Sequence, residues 1–449
     1  MSHLFFPEKK SDPLSMEAIE SHILSQRFEG KCSIDAISTL MKRKQMGFSS
    51  IGSISQILTR IGGKLPNVLE NKGDTITLVF ADDEIFTKSH PILITVDPIS
   101  SAILRIELVN QRTADKWSDH FSDILGHGFF PRQVTSDAGA AIVSAHKTIL
   151  TDVSWQLDTF HGIAHRLGEW DRRLEKSAYT AIQTAIDREK KCASAKSDSV
   201  IKKRLKIWFK SEKMATKAIE LYDDFHYLYQ YLIHQLHTFD SSGKLRQREQ
   251  TKENMEVALD LMESLEHKTI KKKAISIKKA LPDLLTYFDD AVIALKKCQK
   301  LTTNEDALCA LILAWQWHKT VVKSKVTFRK HKAIEQEKLH LELAALFVGQ
   351  VEKYVELKDN IYTELDQIIQ ASSMVECINS ILRPYLNTSK NHVTQEFLNT
   401  FMFYHNHRRY HAGKRKGKTP MEILMAKEQK EDWITLLFKE IKQFPLGTA

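Results

Sequence analysis

Thr75-Ile76-Thr77-Leu78-Val79-Phe80-Ala81 is a run of β-branched and apolar residues with no helical polar face, and it reads as a strand. Residues 92–97 and 102–109 are two more such runs, joined by links short enough for antiparallel hairpins. Beyond them the period changes. Residues 113–125 read as a helix, 133–136 as a short buried strand, 139–149 as a helix and 153–157 as a strand. Three meandering strands followed by helix, strand, helix and strand predict an α/β fold, a mixed sheet with helices on its faces.

Two acids stand at strand ends in this reading. Asp83 closes the first strand and Asp137 the fourth, and the element order, which resembles that of ribonuclease H-like folds, implies that they lie side by side at the centre. Close carboxylates repel unless a cation lies between them. A third carboxylate would complete an oxygen cage for two Mg²⁺ ions about 4 Å apart, with Mn²⁺ able to substitute, an arrangement suited to phosphoryl transfer. Alternatively, Asp137 is only the cap of the following helix.

The third acid is expected far downstream, in Ser372-Ser373-Met374-Val375-Glu376-Cys377-Ile378-Asn379-Ser380-Ile381-Leu382-Arg383. At about 100° per residue, Glu376, Asn379, Ser380 and Arg383 share one narrow polar face opposite Val375, Ile378 and Leu382. Pro384 should stop or kink this helix. Ser373 and Glu376 also spell a capping box, in which Glu376 merely returns to the first amide.

Ahead of the sheet, polar residues 1–13 lead into helical spacing over 14–27. A helix capped by Ser33 follows, then a break at Gly47, and a helix opened by Ser49 or Ser50 and closed by Gly62-Gly63. This reads as an N-terminal helix-turn-helix domain, 1–66, whose face of Ser50, Ser53, Gln56 and Arg60 suits a DNA groove. A small helical bundle without a DNA role has the same pattern. The sheet domain is read as 74–161, an all-helical insertion as 162–371, and the second part of the core as 372–449. In the insertion, the lysine run at 268–279 suits a phosphate backbone or a solvated face equally, and Trp170, Trp208, Trp315 and Trp317 read as core. Near the end, Arg408, Arg409, Lys414, Arg415, Lys416 and Lys418 put six positive charges into eleven residues with no acid. That is an electrostatic footprint for DNA, or a flexible basic loop.

The bulk numbers agree with a polyanionic partner. The chain has 449 residues, 42% of them apolar, and a net charge of +9. Its five cysteines are scattered without a C-x-x-C spacing, so they read as thiols in a reducing compartment, not as a zinc site. No signal peptide or membrane span is expected, and the location expected is cytoplasmic, with the nucleoid.

Taken together, Asp83-Glu84-Ile85, Ser136-Asp137-Ala138-Gly139, Asp158-Thr159-Phe160-His161, Val375-Glu376-Cys377-Ile378-Asn379, and Tyr404-His405-Asn406 through Thr419-Pro420-Met421-Glu422 resemble, in this order, the DDE transposases of bacterial insertion sequences. These belong to the retroviral-integrase-like superfamily, and the element order is that of a ribonuclease H-like core. The resemblance implies a polynucleotidyl transferase. Asp83, Asp137 and Glu376 would be its catalytic, Mg²⁺-binding acids, with Arg383 as the basic residue two turns on and Asn379 beside it. It would cut transposon ends and join them to target DNA as a homodimer or higher oligomer. Asp82 adjoins Asp83, so either could be the first acid. The 239 positions from Asp137 to Glu376 match only members that carry a helical insertion. A transposase-derived DNA-binding protein without activity, and a ribonuclease H-like nuclease without strand transfer, are the alternatives.

Overall fold

The computed structural model describes residues 14–88 and 90–443; the polar lead-in 1–13 lies outside the described residues. Among the described residues, three α-helices precede the sheet, α1 (Met16–Leu24), which runs on into a π-helical turn (Ser25–Glu29), α2 (Ile34–Arg43) and α3 (Ile51–Gly62). Each is opened by a serine, Ser15, Ser33 or Ser50, whose side chain accepts from the amide three residues on, at 3.2, 3.1 and 3.0 Å.

The sheet has five strands, β1 (Ile76–Phe86), β2 (Pro91–Val96), β3 (Ile103–Leu108), β4 (Phe129–Ser136) and β5 (Ser154–Leu157), in the order β3-β2-β1-β4-β5. β1 runs antiparallel to β2 and parallel to β4, so the sheet is mixed. Between the strands lie α4 (Ala114–Gly126) and α5 (Ala140–Ile149). β1 extends five residues past the expected end at Ala81. The acidic triplet that reads as a terminus is paired with β2 throughout, Asp82 with Thr95, Asp83 with Ile94 and Glu84 with Leu93. β4 begins four residues earlier than expected. Pro131 is tolerated inside it where the ladder with β1 shifts register, between Leu78 and Val79.

The chain returns to this unit through α14 (Ser373–Thr388), α15 (Gln395–His407), α16 (Pro420–Met425) and α17 (Trp433–Gln443). Of the described residues, those within 14–154 and 372–443 form one compact unit. One core joins Ile54, Ile57 and Ile61 of α3 to Ile92, Ile94 and Ile106 of the sheet and to Ile378, Leu382 and Phe401 of the late helices. The N-terminal helices, expected as a domain of their own, therefore share the core of the sheet. Gly62 is the close point, since a Cβ there would sit 2.0 Å from the Glu396 carbonyl oxygen.

Helix α15 also closes the outer edge of the sheet. Gln395, at its start, accepts from Leu108 N (2.7 Å) and donates to Ile106 O (3.0 Å). Asn406, at its end, accepts from Ile103 N (2.8 Å) and donates to Ile103 O (2.9 Å). Eleven residues of helix and five of strand each span about 17 Å, so the two amides meet opposite ends of β3. Residues 67 and 69 bond Ile106 N and Leu104 O between them, which leaves this edge unable to recruit another strand.

The second unit, residues 155–371, is helical beyond the end of β5. It comprises α6 (His165–Ala193), α7 (Asp198–Gln235), α8 (Arg248–Ser264), α9 (Lys268–Leu284), α10 (Tyr287–Leu301), α11 (Glu305–Lys323), α12 (Thr327–Val348) and α13 (Val351–Leu365). Its core gathers Phe225, Met255, Leu281, Tyr287, Leu311 and Trp315. Among the described residues of the chain, no helix is long and apolar enough to cross a membrane.

Candidate active site

Alternation along β1 decides which acid faces which helix. Successive strand side chains point to opposite faces, so Ala81, Asp83 and Ile85 share one face and Phe80, Asp82 and Glu84 the other. Ala81 and Ile85 belong to the core that includes Val375, Ile378 and Leu382 of α14. Between them Asp83, half-buried, accepts a hydrogen bond at Oδ2 from Asn379 Nδ2 of α14, at 2.8 Å. Glu376 lies one turn before Asn379 on the same helix face and is also half-buried. The helix starts at Ser373, with Ser372 as cap residue, so Ser373 and Glu376 do not form the capping box that the sequence allows.

Asp137 comes to the same end of the sheet by another route. The parallel ladder of β1 and β4 has its last pair at Ala81 and Thr135, and two residues further along each strand stand Asp83 and Asp137. Asp137 Oδ1 accepts from Gly139 N at 2.8 Å, which turns the chain tightly into α5. The cap residue of α5 is Gly139, so Asp137 is not the N-cap. A side chain on Gly139 would press on this acid, its Cβ 2.9 Å from Asp137 Oδ1.

Asp82 has a different setting. It is 1% exposed on the α4 side of β1 and hydrogen-bonded to Thr95, whose hydroxyl lies 3.1 Å from His120 Nε2. His120 Nδ1 in turn lies 3.3 Å from Glu107 Oε2, and Arg105 pairs with Glu107 at 3.2 Å. Burial pushes the Asp82 carboxyl up to about 8, against the Thr95 hydrogen bond and helped by the charge of Asp83. His120 is held down to about 4, also by burial, so burial disfavours the charged form of both. Glu84, on the same face, bonds Arg112 (3.0 Å) and Trp117 Nε1 (3.3 Å). The acids of this face are committed to holding α4 against the sheet. The residue on the α14 side is Asp83.

Asp83, Asp137 and Glu376 are hard oxygen donors of the kind that Mg²⁺ takes. Asn379 Oδ1 is buried beside Asp83 with no hydrogen-bond partner among the described residues, an acceptor that a cation or its water would satisfy. Among the described residues, no three His, Cys, Asp or Glu side chains are already gathered at metal-holding distance. The donor set thus fits the ion in chemical type.

The residues expected to meet DNA fall into two groups. Ser50 is committed to capping α3, its hydroxyl 2.8 Å from that of Ser53, and Arg60 pairs with Glu20 of α1. Arg409 bonds Glu422 Oε1 and Oε2 at 3.0 Å, and Arg415 bonds Ile99 O at 2.7 Å and Pro98 O at 3.0 Å. Arg408 lies over the rings of Tyr404 and Tyr410, 5.7 and 5.4 Å from their centres. Seven of the expected contacts, Ser50, Ser53, Arg60, Asn379, Arg408, Arg409 and Arg415, thus have internal structural partners. Gln56, Arg383, Lys414 and Lys416 are exposed. Threonine, glutamate and proline at 419–422 form a true capping box at α16, Glu422 Oε2 accepting from Thr419 N at 2.8 Å. That signal was legible as a spacing. The role of Gly139 against Asp137 carried no sequence signal beyond a glycine before a helix.

No family model matches this chain, and no curated protein matches it.

Proposed function

We propose that this chain is a Mg²⁺-dependent DNA strand transferase of the DDE type, built on a ribonuclease H-like core. The observation that carries the reading is the hydrogen bond from Asn379 to Asp83. It ties the late helix to the first long strand, with Glu376 one turn away and Asp137 two residues past the shared ladder of β1 and β4.

Asp83, Asp137 and Glu376 would hold two Mg²⁺ ions, with Mn²⁺ able to replace them. Such ions supply Lewis-acid activation of a water or 3′ hydroxyl and neutralise charge on the scissile phosphate. The chain's own residues set the geometry. Asn379 fixes the Asp83 carboxylate by its amide, and the Gly139 amide fixes that of Asp137. Arg383, exposed two turns beyond Glu376 on the same face, suits a phosphate of the bound strand. The DNA substrates are the transposon ends and the target. Two ends must be processed, so the working form is a homodimer or a higher oligomer on DNA, in the cytoplasm with the nucleoid.

The test is cleavage and joining by the full chain on a duplex carrying the DNA sequences that flank its gene. Asp83→Ala, Asp137→Ala and Glu376→Ala should each abolish Mg²⁺-dependent nicking and leave DNA binding within about two-fold. Full activity in any one removes that acid from the site. Nicking without joining by the unaltered protein identifies a nuclease, and binding without nicking identifies a DNA-binding derivative.

A further inference from the structure

Helices α6 and α7 form a long antiparallel hairpin, and its far half carries nearly all of the chain's excess charge. Residues 188–217 contain eleven Lys and Arg against three Asp and Glu, a net of +8 beside +9 for all 449 residues. The two ends of this hairpin are anchored differently. Leu167 and Leu174 of α6 and Phe225, Leu228 and Leu232 of α7 enter the core of the second unit. From 179 to 217 only Ala185 and Ala215 are fully buried, so this half packs on itself and stands in solvent on its other sides.

The charges are ordered. At about 100° per residue, Lys202, Lys206, Lys210, Lys213 and Lys217 of α7 fall within an arc of about 100°, and the stripe is about 22 Å long. All five are exposed, and none makes an ion pair with a described residue. Phe209 lies in the same arc, 58% exposed, its ring stacked on Trp208 at 5.3 Å and 17°. The opposite arc, Ile201, Leu205, Trp208 and Ala215, is buried or half-buried on the side of α6. Like charges three and four residues apart repel, so the stripe weakens its own helix unless a polyanion neutralises it. The spacing suits duplex DNA, which presents one charge per about 1.7 Å of axis. A membrane surface suits it less. An interfacial helix needs a broad apolar face free to enter lipid; here α6 covers Ile201, Leu205 and Trp208, and the apolar residues exposed beside the stripe, Val200, Ile207 and Met214, recur only once every two turns.

We infer that the α6–α7 hairpin is a DNA-holding arm, in which the five lysines of α7 meet phosphates and Phe209 packs against the duplex. The identity of the polyanion rests on the proposed function; the charge pattern does not. The test uses the full chain in EDTA, so that cleavage plays no part, and measures binding to a random-sequence duplex from 50 to 300 mM salt. Lys202, Lys206, Lys210, Lys213 and Lys217 changed together to Gln should weaken binding at least ten-fold and reduce the slope of log K against log salt by about 4. Five exposed lysines of the same unit, Lys296, Lys300, Lys325, Lys330 and Lys332, changed to Gln provide the control and should change the slope by less than 1. Phe209→Ala should lose several-fold in affinity at an unchanged slope. An unchanged slope in the α7 variant, or an equal fall in the control, overturns the proposal. So does an α7 variant that loses binding to phosphatidylglycerol vesicles while keeping its DNA affinity. Failure of the triad variants to lose nicking would defeat the proposed chemistry and leave this result standing.

Discussion

Two neighbouring aspartates on one strand have opposite tasks. Asp82 is buried under α4, where it serves packing and its carboxyl is pushed up by that burial, whereas Asp83 is half-buried under α14 and takes its hydrogen bond from Asn379. The sequence left the pair ambiguous because adjacency says nothing about which face becomes the site; only the packing of α14 does. Asp83→Asn is therefore expected to abolish Mg²⁺-dependent nicking, and Asp82→Asn to keep it within about three-fold, since an amide can still bond Thr95. A strand-cleavage assay that finds the reverse moves the site to the α4 face. Gly139 gives a second prediction at this scale. Its backbone φ is −59°, which alanine adopts freely, so Gly139→Ala acts through contact and not through strain. The new methyl 2.9 Å from Asp137 Oδ1 displaces that carboxylate. Nicking should fall at least ten-fold while the thermal midpoint moves by less than about 1 kcal/mol in equivalent stability. A variant with full activity would show that Asp137 does not need its present position.

Among the elements, what the sequence showed and what it hid have separable causes. The succession of strands and helices along the chain, the serine caps of α2 and α3, and the polar face of α14 follow from local patterning and were legible. The length of β1 was hidden because Asp82-Asp83-Glu84 looks like a strand end, and it is partners from β2, α4 and α14 that make three acids tolerable there. The course of α14 was hidden too. Pro384 predicts a stop, yet the helix continues to Thr388 because Tyr385 and Leu386 are buried beyond it and Tyr385 Oη donates to Phe28 O at 2.5 Å. Tertiary packing there outweighs the lost backbone hydrogen bond. The contact of α3 with α15 could not be read from either helix alone. Its close point predicts that Gly62→Ala destabilises by about 3 kcal/mol, because a methyl 2.0 Å from a backbone oxygen forces two packed helices apart. Denaturant unfolding measures this, and a loss below about 1 kcal/mol would show that α3 shifts freely on the core.

At the scale of the molecule, two units with separate cores should melt as two calorimetric transitions. Burial holds His405 down to about 3, reinforced by the charge of Arg408 and opposed by its contact of 2.9 Å with Ser101 O. His120 is likewise held down to about 4; both lie in the unit that contains the sheet. A histidine with a depressed folded pKa is neutral in the fold and takes up its proton on unfolding. Its contribution is fully present above about 6.5 and is lost as pH falls toward the folded value, by about 1.4 kcal/mol per pH unit. The raised carboxyl of Asp82 pulls the opposite way over part of that range, so the absolute slope mixes several groups and a difference is the clean quantity. Between pH 6.5 and 5, His405→Gln, whose amide can still donate to Ser101, should spare its unit about 2 kcal/mol of the acid-induced loss seen in the unaltered protein. The transition of residues 155–371 should keep its pH dependence unchanged. Equal slopes with and without His405 would mean that the ring is already protonated in the fold, and a variant that shifted both transitions together would mean that the two cores unfold as one.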